Sequence, residues 1–323
     1  MSRKFRFIFL MMCTAIMVMA MTVSVFAKAD QESGYYVVTT PVAPSYPVQV
    51  KIVLDTKNVD GTNNTATSAI YNVTINSDMD EEGEDTTLTV RDAILAWIDQ
   101  ENSISVFDHG EEFDDSSMYV TSIGVGNNIY EPTLPYEEDA LDGFYFRVNG
   151  KIPLLTTVSP AHAYGPEGAY IYQTPIEDGD VIHLYWNYPY NETPNTYYSA
   201  NYVSATPAYN SSTNTLSVQL VMSYDYEYND GFWHIIPFHC TSCVPAGTYN
   251  YTIWEKGENT AISSGTITTN NGGVGAITGL NLSSGKTYYL QIDTQSYKGV
   301  ESYDTFEDVY IVDNTKVFEK FTI

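Results

Sequence analysis

The chain has 323 residues, with 14 Lys+Arg against 40 Asp+Glu, a formal net charge of −26 and a pI near 4.2. A surface this negative repels phosphate backbones and anionic headgroups, which excludes nucleic-acid binding and docking on lipid through a basic patch. A hydrophobic content of 43%, spread along the chain, predicts packed structure rather than disorder, and the length suggests about two domains. Tyr is unusually abundant, with 28 copies. It favours strands and can line a half-wet surface or stack on a ligand.

Residues 1–27 read as an export signal. Arg3, Lys4 and Arg6 form a basic head, Phe7 to Ala20 is apolar except for Thr14, and Val25-Phe26-Ala27 resembles a small-residue cleavage site. An uncleaved membrane anchor is the alternative, opposed by the polar sequence that follows at once. No later run reaches the ~20 apolar residues of a membrane helix, so the mature chain is expected to have no span and to be secreted or extracellular. Residues 28–46, with Pro and Tyr, read as an extended lead segment.

Val48 to Leu54 alternates as a strand, and Ile70 to Ile75 forms a second one. The acidic loop Asp78 to Asp85 follows. Thr89 can N-cap a helix with Asp92 as its capping partner. Val90, Ile94, Trp97 and Ile98 then fall on one face, and the helix should end near Gln100. Tyr119 to Val125 is a further strand. Gly143 to Val148 leads into Asn149-Gly150, a type I′ turn signal, and Val181 to Trp186 follows the tight turn Asp178-Gly179-Asp180. One helix among several strands is an α+β pattern.

Residues 187–214, rich in Asn, Pro, Tyr, Ser and Thr, read as a linker with an entering strand, the linker proper being 191–214. From 215 to 323 every periodic segment is strand-like: Leu216 to Met222, Thr248 to Trp254, Thr266 to Thr269, Val274 to Leu280, Thr287 to Ile292 and Val309 to Val312. Short turns separate them, which predicts an all-β sandwich domain. The acidity is uneven: residues 28–205 hold 28 acids and 6 bases, and residues 206–323 hold 12 and 5.

Residues 47–190 resemble the transcobalamin-like C-terminal domain family, β-grasp-like α+β modules found in cobalamin carriers and in bacterial surface or secreted proteins. The resemblance rests on Thr89 to Ile94, on Gly143 to Gly150 and on Ile176 to Ile182, in that order. It implies a corrinoid as the candidate ligand, with no resident cofactor. In the carriers a separate helical domain holds the corrinoid's other face, and this chain carries no helical repeat. The second domain resembles prealbumin-like or Ig-like surface modules at Ala246 to Tyr249, Gly265 to Thr268 and Gly285 to Leu290. Some such modules form a Lys–Asn isopeptide from a first-strand Lys. Residues 206–255 contain no Lys, so no isopeptide is expected.

Cys240 and Cys243 are the only Cys pair after the signal, and an oxidising compartment favours a disulfide between them. His234 and His239 nearby keep a metal site open, and a redox CxxC is a third reading. Asp78 to Gly83 echoes the start of a calcium loop, but Thr89 stands at its twelfth position. Glu111-Glu112, Asp114-Asp115 and Glu137-Glu138-Asp139 read as solvated runs. Acids are too abundant for any pair to mark a glycosidase, and no nucleophile or phosphate-loop motif occurs, so a non-enzyme is expected. His183, between Ile182 and Leu184, is expected to face out of the sheet into solvent. Tyr145, Tyr164, Tyr170, Tyr172, Trp186 and Tyr188 are the candidate ligand-binding residues, able to stack on a corrinoid or sugar ring. The sequence thus reads as an exported, non-catalytic binding protein for a small molecule. The alternative is a structural or adhesive protein contacting surface proteins or glycans. N-terminal sequencing of the secreted protein should begin at Lys28; a chain starting at Met1 would show that the signal is retained.

Overall fold

The computed structural model describes residues 35–38, 44–56, 68–77, 87–131, 143–154, 169–187, 196–227, 235–240, 244, 246–294, 297–303, 306–312 and 316–323. The structure is mostly β, with 55% of residues in strands and one α-helix among the described residues. The strands up to residue 187 are β1 (Tyr35–Val37), β2 (Val48–Asp55), β3 (Ser68–Ile75), β4 (Ile104–Asp108), β5 (Glu111–Glu112), β6 (Ser122–Val125), β7 (Asn128–Tyr130), β8 (Gly143–Val148), β9 (Ile152–Leu154) and β10 (Val181–Asn187), with helix α1 (Val90–Gln100) between β3 and β4. Then come β11 (Thr196–Asn210), β12 (Thr215–Glu227), β13 (Ile235–Cys240), β14 (Thr248–Glu255), β15 (Ser263–Thr268), β16 (Val274–Thr278), β17 (Thr287–Asp293), β18 (Tyr297–Tyr303), β19 (Phe306–Val312) and β20 (Lys316–Thr322).

The central sheet of the first unit has the order β3-β2-β10-β8. β2 and β10 run parallel, with Ile52 opposite Ile182, and each has an antiparallel neighbour outside it. Helix α1 covers one face. Its start is set where the sequence predicts: the Asp92 carboxylate accepts from the Thr89 N–H at 2.6 Å and from its hydroxyl at 2.7 Å. Trp97, Ile94, Ala93 and Val90 then meet Val50, Ile52 and Leu54 of β2, Phe144 and Val148 of β8, and Ile182, Leu184 and Trp186 of β10 in one core. The small sheet β5-β4-β6-β7 adds Ile104, Val106 and Ile123 to it. The predicted strand from Tyr119 is realised only at Ser122–Val125. The Asn149-Gly150 turn forms as the sequence indicates, with φ of 51° and 73°.

The second unit is sandwich-like. One sheet runs β13-β12-β11-β19-β18, with β16 also on β12, and the other runs β15-β14-β17-β20. Val203, Leu216, Val218, Leu220 and Met222 of the first sheet share a core with Ile253, Ile267, Leu290, Ile292, Val317 and Phe321 of the second. Within the segment read as a linker with an entering strand, the strand is the 15-residue β11, paired to β12 along most of its length and to β19 on its other side. Its Thr, Tyr and Val residues favour a strand, and the two flanking ladders override the Asn and Pro punctuation.

The face of the central sheet opposite α1 is not left to water. Val53 and Val181 on that face pack with Tyr289 of β17 and Phe318 of β20, and Ile70 and Trp254 border them. The sheet is therefore a middle layer, between the helix and the second unit. Lys51 lies over the Tyr289 ring at 4.9 Å, and burial pulls its ammonium below the usual lysine range. Trp97→Ala would empty the centre of the helical layer and should cost about 3–5 kcal/mol in urea unfolding. Exposed Asp99→Ala on the same helix should stay within about 0.5 kcal/mol, and equal losses would place the core elsewhere.

Candidate functional site

Two clusters gather most of the chemistry. The first is an aromatic patch at the start of α1. Ile171 points into the core, so its neighbours Tyr170 and Tyr172 both point outward from a 3-10 turn, Ile171–Gln173. Their rings are stacked, 5.7 Å between centroids and 8° from parallel. Tyr119 meets Tyr170 edge-on at 5.4 Å, and His109 meets Tyr119 edge-on at 5.2 Å. The Arg91 guanidinium lies 5.9 Å from the centre of the Tyr172 ring. All three tyrosines are half-buried, with one side open to solvent.

The backbone fixes this patch. The Val90 N–H donates to the Thr174 carbonyl at 3.0 Å and the Ile176 N–H to the Leu88 carbonyl at 2.9 Å, which clamps the 3-10 turn to the helix start. The Thr174 hydroxyl donates to the Tyr170 carbonyl at 2.9 Å, and the Tyr170 N–H donates to Gln173 Oε1 at 3.1 Å. On the other side, Asp108 Oδ2 accepts from the Met118 and Tyr119 N–H groups at 2.8 and 3.2 Å, while its Oδ1 holds His109 Nδ1 at 2.5 Å. Burial, then the hydrogen bond to Tyr170, pushes the Tyr119 phenol above its ordinary range, so it stays neutral. Asp108, Thr174 and Gln173 are thus committed to positioning the patch, while the buried Arg91 Nε has no hydrogen-bond partner among the described residues.

Of the six candidate residues, the structure brings Tyr170 and Tyr172 together. Tyr164 and Tyr188 lie outside the described residues. Tyr145 is half-buried on the opposite face of the sheet, its ring 6.3 Å from that of Tyr185. Trp186 is not exposed: it is 4% accessible and meets Phe144 edge-on at 5.0 Å in the helical core. Strand alternation puts Trp186 on the same face as Ile182 and Leu184, which α1 covers. Tyr119, Arg91 and His109 were missed, because only the fold brings residues 91, 109, 119 and 170 together. Cys243 lies outside the described residues, as do the Cys240 side chain, Asp78 to Gly83 and Glu137 to Asp139. Asp114 accepts from the Ser116 hydroxyl and N–H at 2.7 and 2.9 Å, which holds its carboxyl below the usual range. Among the described residues, no three His, Cys, Asp or Glu side chains converge as metal ligands.

The second cluster fills the seam between the units. His183 does alternate away from Ile182 and Leu184, but it is 0% exposed, because β11 and β20 cover that face. Its Nε2 bonds the Asp55 carboxylate, which also accepts from the Ser68 hydroxyl. The Tyr202 hydroxyl lies 2.6 Å from His183 Nδ1. A donor chain follows, from the Tyr202 phenol to Nδ1 and from the Nε2–H to Asp55. Burial, the largest influence, raises the Tyr202 phenol well above its usual range, which keeps it a donor. Arg147, also 0% exposed, lies 4.4 Å from the centre of the Tyr202 ring, and its Nε donates to the Tyr185 hydroxyl at 3.3 Å. Closed to solvent, this relay is built to join strands. At the rim, Tyr289 donates to the Gly179 carbonyl at 2.9 Å, Lys256 pairs with Asp178, and Lys320 pairs with Asp180 at 2.7 Å.

No protein-family model matches the chain, and comparisons with curated proteins and with solved structures return no match. Tyr202→Phe removes the donor to His183 Nδ1 and should destabilise by about 1–3 kcal/mol in urea unfolding; an unchanged midpoint would show that the relay contributes nothing.

Proposed function

We propose that this is an exported, non-catalytic binding protein that holds a flat ring ligand on Tyr119, Tyr170 and Tyr172, with Arg91 at the edge. The observation that carries this is the stacked pair Tyr170–Tyr172, half-open to solvent yet fixed by backbone bonds to the start of α1. Rings held in place before binding lose little entropy on contact. Asp108 bonds His109 and holds the Tyr119 backbone, and His109 meets the Tyr119 ring, which favours a positioning role over acid–base work.

The β-grasp reading of the first unit is supported by the order β3-β2-β10-β8, the parallel central pair and the crossing helix. Together with Thr89 to Ile94 and Gly143 to Gly150, this keeps the transcobalamin-like resemblance as the source of the corrinoid candidate. The second reading, a surface protein that contacts glycans, is favoured by the size of the patch. Tyr145 lies on the other sheet face and Trp186 in the core, so the described tyrosines offer a surface suited to one sugar ring.

Calorimetry with cobalamin, cobinamide and a panel of simple sugars separates the two. Binding should be detected with one class, and Tyr170→Ala or Tyr172→Ala should weaken it by about threefold to tenfold, the loss of one stacking contact. Absence of heat with every ligand up to about millimolar, or binding unaffected by both substitutions, would contradict the proposal.

A further inference from the structure

The seam holds one group that neither the relay nor the aromatic patch uses. Glu319 of β20 is 3% exposed. One oxygen, Oε1, accepts from the Ala205 N–H of β11 at 3.2 Å. The Asn149-Gly150 turn closes over the carboxyl so tightly that a Cβ at Gly150 would lie 2.4 Å from Oε2. Elements of both units therefore meet on this carboxyl: the β8–β9 turn from the first, β11 and β20 from the second.

The groups around it do not offset its charge fully. Arg147 of β8 and Lys151 of the turn attract the ionised form. Tyr202 of β11 faces it as a neutral phenol, with His183 of β10 and the Asp55 carboxylate of β2 beyond. Tyr185 of β10 is bound to Arg147. Leu290 of β17, its ladder partner, brings no charge. Burial outweighs the Ala205 N–H bond and the two cations and pushes the Glu319 carboxyl up to about 8.

We propose that Glu319 makes the seam a proton-operated clasp: as the neutral acid it seals the two units together, and its ionisation loosens their docking. In the unfolded chain this carboxyl ionises as pH rises through about 4.5, while in the docked state it holds its proton to about 8. Its contribution is therefore full below about 4.5, declines across the window between the two values, and is gone above about 8. Mild acid tightens the clasp, and mild alkali releases it. The inference is independent of which ligand the tyrosines take.

The test compares the unfolding of the whole exported chain and of Glu319→Gln between pH 5 and 8.5. Gln keeps the size of the group and carries no charge. The folding constant of the natural protein should fall relative to that of the variant by up to about tenfold per pH unit, levelling off above pH 8. Parallel profiles for the two proteins would overturn the proposal. Should the variant fail to fold, carbon-13 NMR of glutamate-labelled natural protein decides the question. A carboxyl titrating near pH 8 is expected, and a full set titrating below about pH 5.5 would overturn it.

Discussion

A four-stranded sheet has two faces, and in this protein both are buried. Helix α1 takes the face formed by Ile52, Leu54, Phe144, Ile182, Leu184 and Trp186. The other face carries Val53 and Val181, but also Asp55, His183 and Arg147, which could not be covered by an apolar layer without a large desolvation cost. The second unit resolves this by bringing polar partners. Tyr202 reaches His183, Tyr289 reaches the Gly179 carbonyl, and Lys320 and Lys256 meet the acids of the 178–180 turn. The Tyr202 and Tyr289 matches are needed because a buried donor or acceptor left alone costs more than a formed bond returns, whereas the Lys256–Asp178 pair is exposed and adds little.

That arrangement also bears on the proposed ring-binding patch. With the sheet covered on both sides, a ring ligand has no access to its strand faces. Among the described residues, the edge where the 3-10 turn at Ile171–Gln173 meets the start of α1 presents half-open tyrosine rings. The tyrosines there are held by the same contacts that fix the helix, so the patch inherits the rigidity of the core. The patch lies at the helix side of the central sheet and the seam on its other side.

Local features of the fold were legible from sequence where one short stretch decides the outcome. Thr89 and Asp92 cap the helix, Asn149-Gly150 turns with positive φ, and the alternating strands from Leu216 and Thr248 form as their patterns indicate. Burial was not legible where it depends on a distant partner. The alternation at Ile182-His183-Leu184 correctly separates two faces, but whether the second face meets water depends on Tyr202 and Glu319. Asp55, the bonded partner of His183, is 128 residues away, and no periodicity links them. The same holds for the tyrosines. Pattern marks Tyr170 and Tyr172 as an i, i+2 pair, whereas Tyr119, Tyr145 and Trp186 are sorted to the patch, the seam side and the core by tertiary packing alone.

The account rests on the two units acting as one body through the seam. Scanning calorimetry of the protein at pH 6 tests this most directly. A single transition whose calorimetric and van't Hoff enthalpies agree is predicted, since undocking would expose Val53, Val181, Tyr289 and Phe318 to water and break the Tyr202–His183 and Tyr289–Gly179 bonds. Two resolved transitions, each with its own matching enthalpy, would show that the units fold independently and would contradict it.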